Sequence, residues 1–302
     1  MKNENLKILS DLQPDENIKL WRYTSFSSLC EIIMYNHLPL INVGKFTDKS
    51  EGVILKETLC KLEGVSELNV DFVMRLYYNS ILVSSWHKSE NENAAMWDRY
   101  ARNGEGVAIK TNAKKLLNCI EYHKSIYENT NRKINIGNET RDIIMDYTKS
   151  IRPIPADRCF IKEIEYTHTQ PSNFEINKSD LEKGYDILTF FYKMEDFKDE
   201  KEVRILYPYG WKGSIYGILE NADKMDVRIF GNSGFIREQS LRSASETPRE
   251  IKINIGSAYN LIDKIVISPY AHTNMIKTVQ DVVNSITDQK FKIEESKRTN
   301  WV

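Results

Sequence analysis

At 302 residues and 35.3 kDa the chain is long enough to bury a substantial core as one large domain or two intimate subdomains, so disulfide or metal staples are not needed. Lys and Arg number 42 and Asp and Glu 43; the formal net charge of -1 excludes a global attraction to nucleic acid or to an anionic membrane and leaves only a local basic groove. Cys30, Cys60, Cys119 and Cys159 are widely separated without paired metal spacing, and no signal-like leader or membrane-length apolar run is present, which points to a soluble cytoplasmic protein with reduced thiols.

The first seventeen residues read as a flexible polar lead-in. Ile18, Leu20, Arg22 and Thr24 then alternate with Lys19, Trp21 and Tyr23, the period of a strand. Ser25 is placed to cap a helix carrying Leu29, Ile32 and Ile33, and Pro39 marks a turn before Leu40 and Ile41. Gly44, Asp48, Ser50 and Gly52 define a loop that either closes over a site or is a solvated connection. Residues 53–80 are expected to be helical.

Ile81 to Val83 read as a buried strand leaving through Ser84, Ser85 and Trp86. An acidic, Asn-rich turn follows, and Met96, Trp97, Tyr100 and Ala101 recur at helical spacing until Gly104. Gly106 leads into a strand at Val107 to Ile109. Residues 112–150 look like a helical insertion with a polar break near Asn129 to Asn138, and Pro153 and Pro155 open a new segment. A strand is expected at Cys159 to Tyr166, a helix at Glu182 to Asp196, a strand from Val203 to Gly210, and short strands with a charged loop over 211–250. Strands at Ile251 to Ile255 and Lys264 to Ser268 and an amphipathic helix at Met275 to Ile286 complete the chain. Together these elements predict an α+β fold over residues 1–302, a mixed or antiparallel central sheet with flanking helices.

Two places gather residues suited to chemistry. If Phe197 to Leu206 is a strand, Glu200, Glu202 and Arg204 share one face, where Arg204 would keep the acids ionised; the alternative is a solvated edge with a surface ion pair. Near the exit of the first strand, Arg22 with Tyr23, Thr24 and Ser25 offers a guanidinium and hydroxyls for a phosphate or a ribose, or else Arg22 pins the strand to an acid. Ser25 is a helix cap before it is a nucleophile. Trp86 is either an exposed stacking platform or a lid on the core, and His87 either donates to a phosphate and moves protons or organises its loop. Trp97 and Tyr100 are assigned to the core, with Asp98, Arg99 and Arg102 on the polar side of their helix. His37, His87, His123, His168 and His272 have no partners at metal-ligand spacing, so no metal is predicted, and no phosphate loop or dinucleotide fingerprint is present.

The blocks at 20–48, 81–110, 197–206 and 251–267 resemble the bacterial domain-of-unknown-function family 2971 (DUF2971). This chain departs from that family at Phe46-Thr47-Asp48-Lys49, where Phe-Asn-Asp-Pro is common, and at Ser84-Ser85-Trp86. More remotely, the order of an Arg-Tyr-Thr-Ser strand before a helix, an aromatic-rich centre and a late Glu-x-Glu strand is similar to that of ADP-ribosyltransferases. That resemblance implies an ADP-ribosyltransferase-like fold, NAD as cosubstrate bound by Arg22, Tyr23 or Trp86 beside the nicotinamide ribose, Glu202 as transition-state carboxylate, and Glu200 orienting or deprotonating an acceptor. The partners it implies are a nucleotide-like small molecule and an acceptor, macromolecular or not, that the sequence does not identify. A noncatalytic nucleotide-sensing or protein-binding module, in bacterial defence, is the competing reading.

Overall fold

The computed structural model describes residues 15–46, 51–61, 67–102, 104–130, 132–136, 139–143, 160–168, 185–208 and 249–298. Strand β1 (Lys19–Ser25) is followed by helix α1 (Phe26–Tyr35) and β2 (His37–Asn42), then by α2 (Val53–Cys60) and α3 (Glu67–Ser80). Next come β3 (Ile81–Lys88), α4 (Ala94–Tyr100), β4 (Gly106–Asn112) and α5 (Ala113–Thr130). After the hairpin β5 (Arg132–Ile136) and β6 (Glu139–Ile143) stand β7 (Phe160–Glu163), β8 (Glu165–Thr167), β9 (Tyr192–Met194) and β10 (Glu202–Pro208). The last elements are β11 (Glu250–Asn254), α6 (Ala258–Leu261), β12 (Lys264–Ile267), α7 (Met275–Ile286) and β13 (Ile293–Glu295).

The fold is α+β. Nine strands form one sheet in the order β11-β2-β3-β1-β4-β12-β13, with β10 and β7 branching from β3. Every pairing in it is antiparallel except β12 with β13. Alternation decides the two faces. Leu20, Leu82, Trp86, Ile109, Val203, Ile205 and Ile265 point to one side and pack under Leu29, Ile32, Leu116, Leu261, Val279 and Val283 in a continuous core. On the other side the cover is divided. Leu55, Leu59, Val73, Met74, Tyr77, Phe190 and Phe191 lie over Ile81, Val83 and Leu206, whereas Met96 and Trp97 lie over Trp21, Tyr23, Ala108 and Val266.

The edge of β3 that faces β1 and β2 is shared between them. Only Leu82 and Val83 pair with β2, and only His87 and Lys88 with β1, so the sheet opens at Ser84 to Trp86. That opening and the gap between the two apolar covers coincide. Helix ends hold the flanks: the Ser28 backbone N–H donates to Ser25 Oγ at 3.2 Å, and those of Ala95 and Met96 donate to Asn93 Oδ1. At Gly106 the chain passes so close to Ala101 that a Cβ would sit 2.3 Å from its carbonyl oxygen, which ties the end of α4 to the start of β4.

Several expectations change. The strand expected at Ile81 to Val83 runs to Lys88, carrying Trp86 and His87 inside it. The helical stretch 53–80 is two helices. In the expected helical insertion at 112–150, α5 gives way to the β5–β6 hairpin, where Ile134 and Ile136 alternate with Lys133 and Asn135 at the period of a strand. The helix expected at Glu182 to Asp196 is replaced by 3-10 turns at Tyr185–Phe191 and Glu195–Glu200 around β9. Ile187, Leu188, Phe190 and Phe191 are all buried, a run too continuous for one helix face. Pro39 lies in β2 rather than at a turn, beyond the two residues that pair with β3, where no ladder donor is required of it. Most of the lead-in, Asp48, Ser50, Pro153, Pro155, Cys159 and most of 211–250 lie outside the described residues. Among the described residues no helix is long and apolar enough to cross a membrane.

Candidate active site

A cavity of about 870 Å³ occupies the opening between β1 and β3, within the size range of small-molecule sites. All seven sequence candidates line it: Arg22, Tyr23, Ser25, Trp86, His87, Glu200 and Glu202. β1, β3 and β10 bring Arg22, Trp86 and Glu202 together from three distant parts of the chain. Because Arg22 shares the face of Leu20, while Glu202 sits across from His87 on the opposite face, the cavity passes through the split rather than lying on one surface.

The acid side is an ordered ion network. Glu202 is 5% exposed and receives Arg204 Nε at 2.6 Å on Oε1 and Arg204 Nη2 at 3.0 Å on Oε2. Lys193 Nζ adds a contact of 3.0 Å to Oε2, and the Ser85 hydroxyl also donates to the carboxylate. Burial alone would push this carboxyl up, but Arg204 and Lys193 outweigh it and hold it at about 2, so it is ionised throughout the neutral range. Burial likewise opposes the charge on Lys193, and the carboxylates of Glu202, Glu51 and Glu200 more than compensate, raising its pKa.

Glu200 does not share the strand expected for it. It ends the 3-10 turn before β10, and Lys201 takes a left-handed φ of 40° that turns the chain into the strand. Its side chain nevertheless returns to the cavity, where Arg99 Nη1 donates to Oε1 at 2.5 Å and Lys193 Nζ to Oε2 at 2.8 Å. The neighbouring Glu200 carbonyl lies 2.6 Å from His87 Nδ1. A carbonyl only accepts, so Nδ1 carries the proton. Burial pushes the His87 pKa down, against a smaller opposing effect of that bond, and in the neutral ring Nε2 is a lone pair without a partner among the described residues.

The opposite wall is built differently. Arg22 donates to Ser84 Oγ, its guanidinium stands 5.7 Å from the Trp86 ring centre, and among the described residues it forms no salt bridge. Burial lowers its pKa to about 10, with Glu250 offsetting part of the effect, so it remains a cation at neutral pH. Trp86 is 1% exposed and donates to Ser84 Oγ at 3.1 Å; it is a fixed wall of the cavity and not the free platform considered from sequence. Ser25 caps α1 and also lines the cavity. The Tyr23 hydroxyl accepts the Asn93 backbone N–H at 2.8 Å, and its ring meets Trp97 edge-on at 4.8 Å between centres.

Four cavity residues escape sequence reasoning: Glu51, Arg99, Tyr100 and Lys193. Tyr100, assigned to the core, is the last residue of α4, is 53% exposed, and brings its hydroxyl to 3.5 Å from Glu200 Oε1. Lys193 had a signal: a lone cation directly after Phe190, Phe191 and Tyr192 is a lysine that needs buried acids. Glu51 belongs to the loop marked by Gly44 and Gly52. Among the described residues no group of three or more His, Cys, Asp or Glu side chains could hold a metal ion.

Residues 96–205 match the model of a family described as "Protein of unknown function (DUF2971)". No curated protein matches the chain. Among solved structures, Thermus sp. 2.9 DarT in complex with carba-NAD+ is similar at 6% identity and a TM-score of 0.30, over 95% of this chain and 98% of that one.

Proposed function

We propose that the cavity binds NAD and that the chain transfers ADP-ribose to an acceptor or cleaves NAD with water. One observation carries this reading: Arg22, a cation that forms no salt bridge among the described residues, and Glu202, a buried carboxylate held ionised, line the same cavity. Breaking the bond between nicotinamide and its ribose sends the electron pair to nicotinamide and leaves positive charge on the ribose ring. A fixed carboxylate facing that charge stabilises the transition state more than the ground state. Glu202 supplies that carboxylate and accepts from a ribose hydroxyl. Arg22 meets the pyrophosphate, and the Trp86 wall beside it excludes water. The acceptor then bonds to the anomeric carbon and releases its proton to solvent water, while Glu200, fixed by Arg99 and Lys193, orients it.

Titration calorimetry with NAD and measurement of nicotinamide release test this reading. Glu202→Gln is expected to slow release by about 10² to 10³ while NAD affinity changes little. Neither binding nor release by the natural chain, with a range of acceptors, would sink it. A second reading is a noncatalytic nucleotide sensor. Its support is the occupancy of both Glu202 oxygens by Arg204 and Lys193, which leaves the carboxylate already neutralised. That reading expects NAD binding without turnover, and binding intact in Glu202→Gln.

A further inference from the structure

We infer that Glu51 is a positioning residue for the reaction proposed above, holding Glu202 in place through Arg204; the inference rests on that reading. Arg204 is fully buried and has five N–H donors, and each has an acceptor. Nε and one Nη2 hydrogen reach Glu202, at 2.6 and 3.0 Å. The other Nη2 hydrogen reaches Glu51 Oε1 at 2.8 Å, and Nη1 divides between Glu51 Oε2 and the Phe190 carbonyl, both at 2.8 Å. Glu51 therefore grips the guanidinium end-on while Glu202 takes it from the side. A planar fork held at one end fixes the plane in which the other carboxylate lies.

Glu51 is itself 1% exposed, and its Oε1 stands 3.4 Å from Lys193 Nζ, the other cation on Glu202. Without Glu51, two hydrogens of the buried Arg204 lose their acceptors, and each cation of Glu202 loses one of the groups that hold it. The charge also changes. Glu51, Glu200 and Glu202 face Lys193, Arg204 and Arg99; removing one acid leaves a cationic surplus around the carboxylate that must face a developing cation.

The backbone is built to deliver this side chain. Gly52, next to Glu51, has φ +71°, and a Cβ on it would stand 2.9 Å from the Phe190 ring, on the residue whose carbonyl helps hold Arg204. Only glycine turns the chain there without displacing that ring.

Nicotinamide release by the full chain, measured for Glu51→Gln, Glu202→Gln and the double variant, separates positioning from a structural role. Glu51→Gln is expected to lower kcat ten- to a hundredfold with the Kd for NAD within threefold. In the Glu202→Gln background the same change is expected to cost less than twofold, because the group it positions is gone. Glu51→Asp, which keeps the charge but shortens the reach, is expected to show the same dependence with a smaller loss and serves if the Gln variant does not fold. Equal losses in both backgrounds, or a Glu51→Gln kcat within threefold of the natural chain, would overturn the inference and leave the proposed reaction standing. A natural chain that neither binds NAD nor releases nicotinamide overturns both.

Discussion

On the wall formed by β1 and β3, Arg22 is a single cation held by one serine hydroxyl and an indole face; on the wall formed by β9, β10, the residues before α2 and the end of α4, three carboxylates and three cations satisfy one another. The first arrangement leaves a charge for a ligand to use. The second fixes geometry, since every member except Arg99, which is bound to Glu200 alone, is held by at least two others. The proposed reaction would use both kinds of wall, one to meet an anion and one to hold a carboxylate rigidly, and the split sheet carries them on opposite sides of one cavity.

Breaking the balanced wall should have the largest consequence for folding. Arg204→Met leaves the buried carboxylates of Glu51 and Glu202 with Lys193 as their remaining cation and is expected to destabilise the fold by about 3–5 kcal/mol, measured by chemical denaturation. Loss of under about 1 kcal/mol would show that water reaches these acids and that the wall is less rigid than its geometry.

Acid titration sharpens the comparison more finely. Burial lowers His123 from 6.5 to about 4, and burial lowers the pKa of His37 and His87 as well. The unfolded chain therefore binds protons that the folded chain refuses. Stability should be level above pH 6.5 and fall between 6.5 and 4, by about 3 kcal/mol from His123. Glu202, with its folded pKa near 2, is the opposite kind of group but has the same sign: its contribution is present above its unfolded value near 4.5 and is lost as pH falls towards 2. In Glu202→Gln the upper phase should remain and the lower phase shrink. Loss of the upper phase instead would place the acid sensitivity in the ion network.

The smallest effect on stability should come from Arg22. Arg22→Gln breaks no ion pair among the described residues, so stability should change by less than about 1 kcal/mol, whereas affinity for NAD should fall about tenfold and depend less on salt. An unfolded variant, or unchanged affinity and salt dependence, would erase the distinction between the two walls.

Much of the scaffold was legible because local patterns and burial agree. The alternation through Leu20 to Thr24, the Ser25 cap, the helix at Met96 and Trp97 and the spacing of Met275, Val279 and Val283 all correspond to observed elements. The Glu182 to Asp196 segment was not legible, because its aromatics are buried from several directions and obey no single period. Glu51 was hidden for another reason: a buried acid looks like a surface residue until its partner, 153 residues away along the chain, is known, and the signal at Lys193 does not say which acids it meets.

By itself the sequence determined the α+β class and the faces of strands such as Leu20 to Thr24, since strand period and helix capping act over a few neighbouring residues. Only the tertiary structure decided that β1 and β3 part after Trp21 and His87. It also decided that Glu51 reaches Arg204 and that Trp86 is wall rather than platform. These are contacts between segments far apart in the chain, fixed by sheet pairing and by the need of each buried charge for a partner, and no local pattern encodes them.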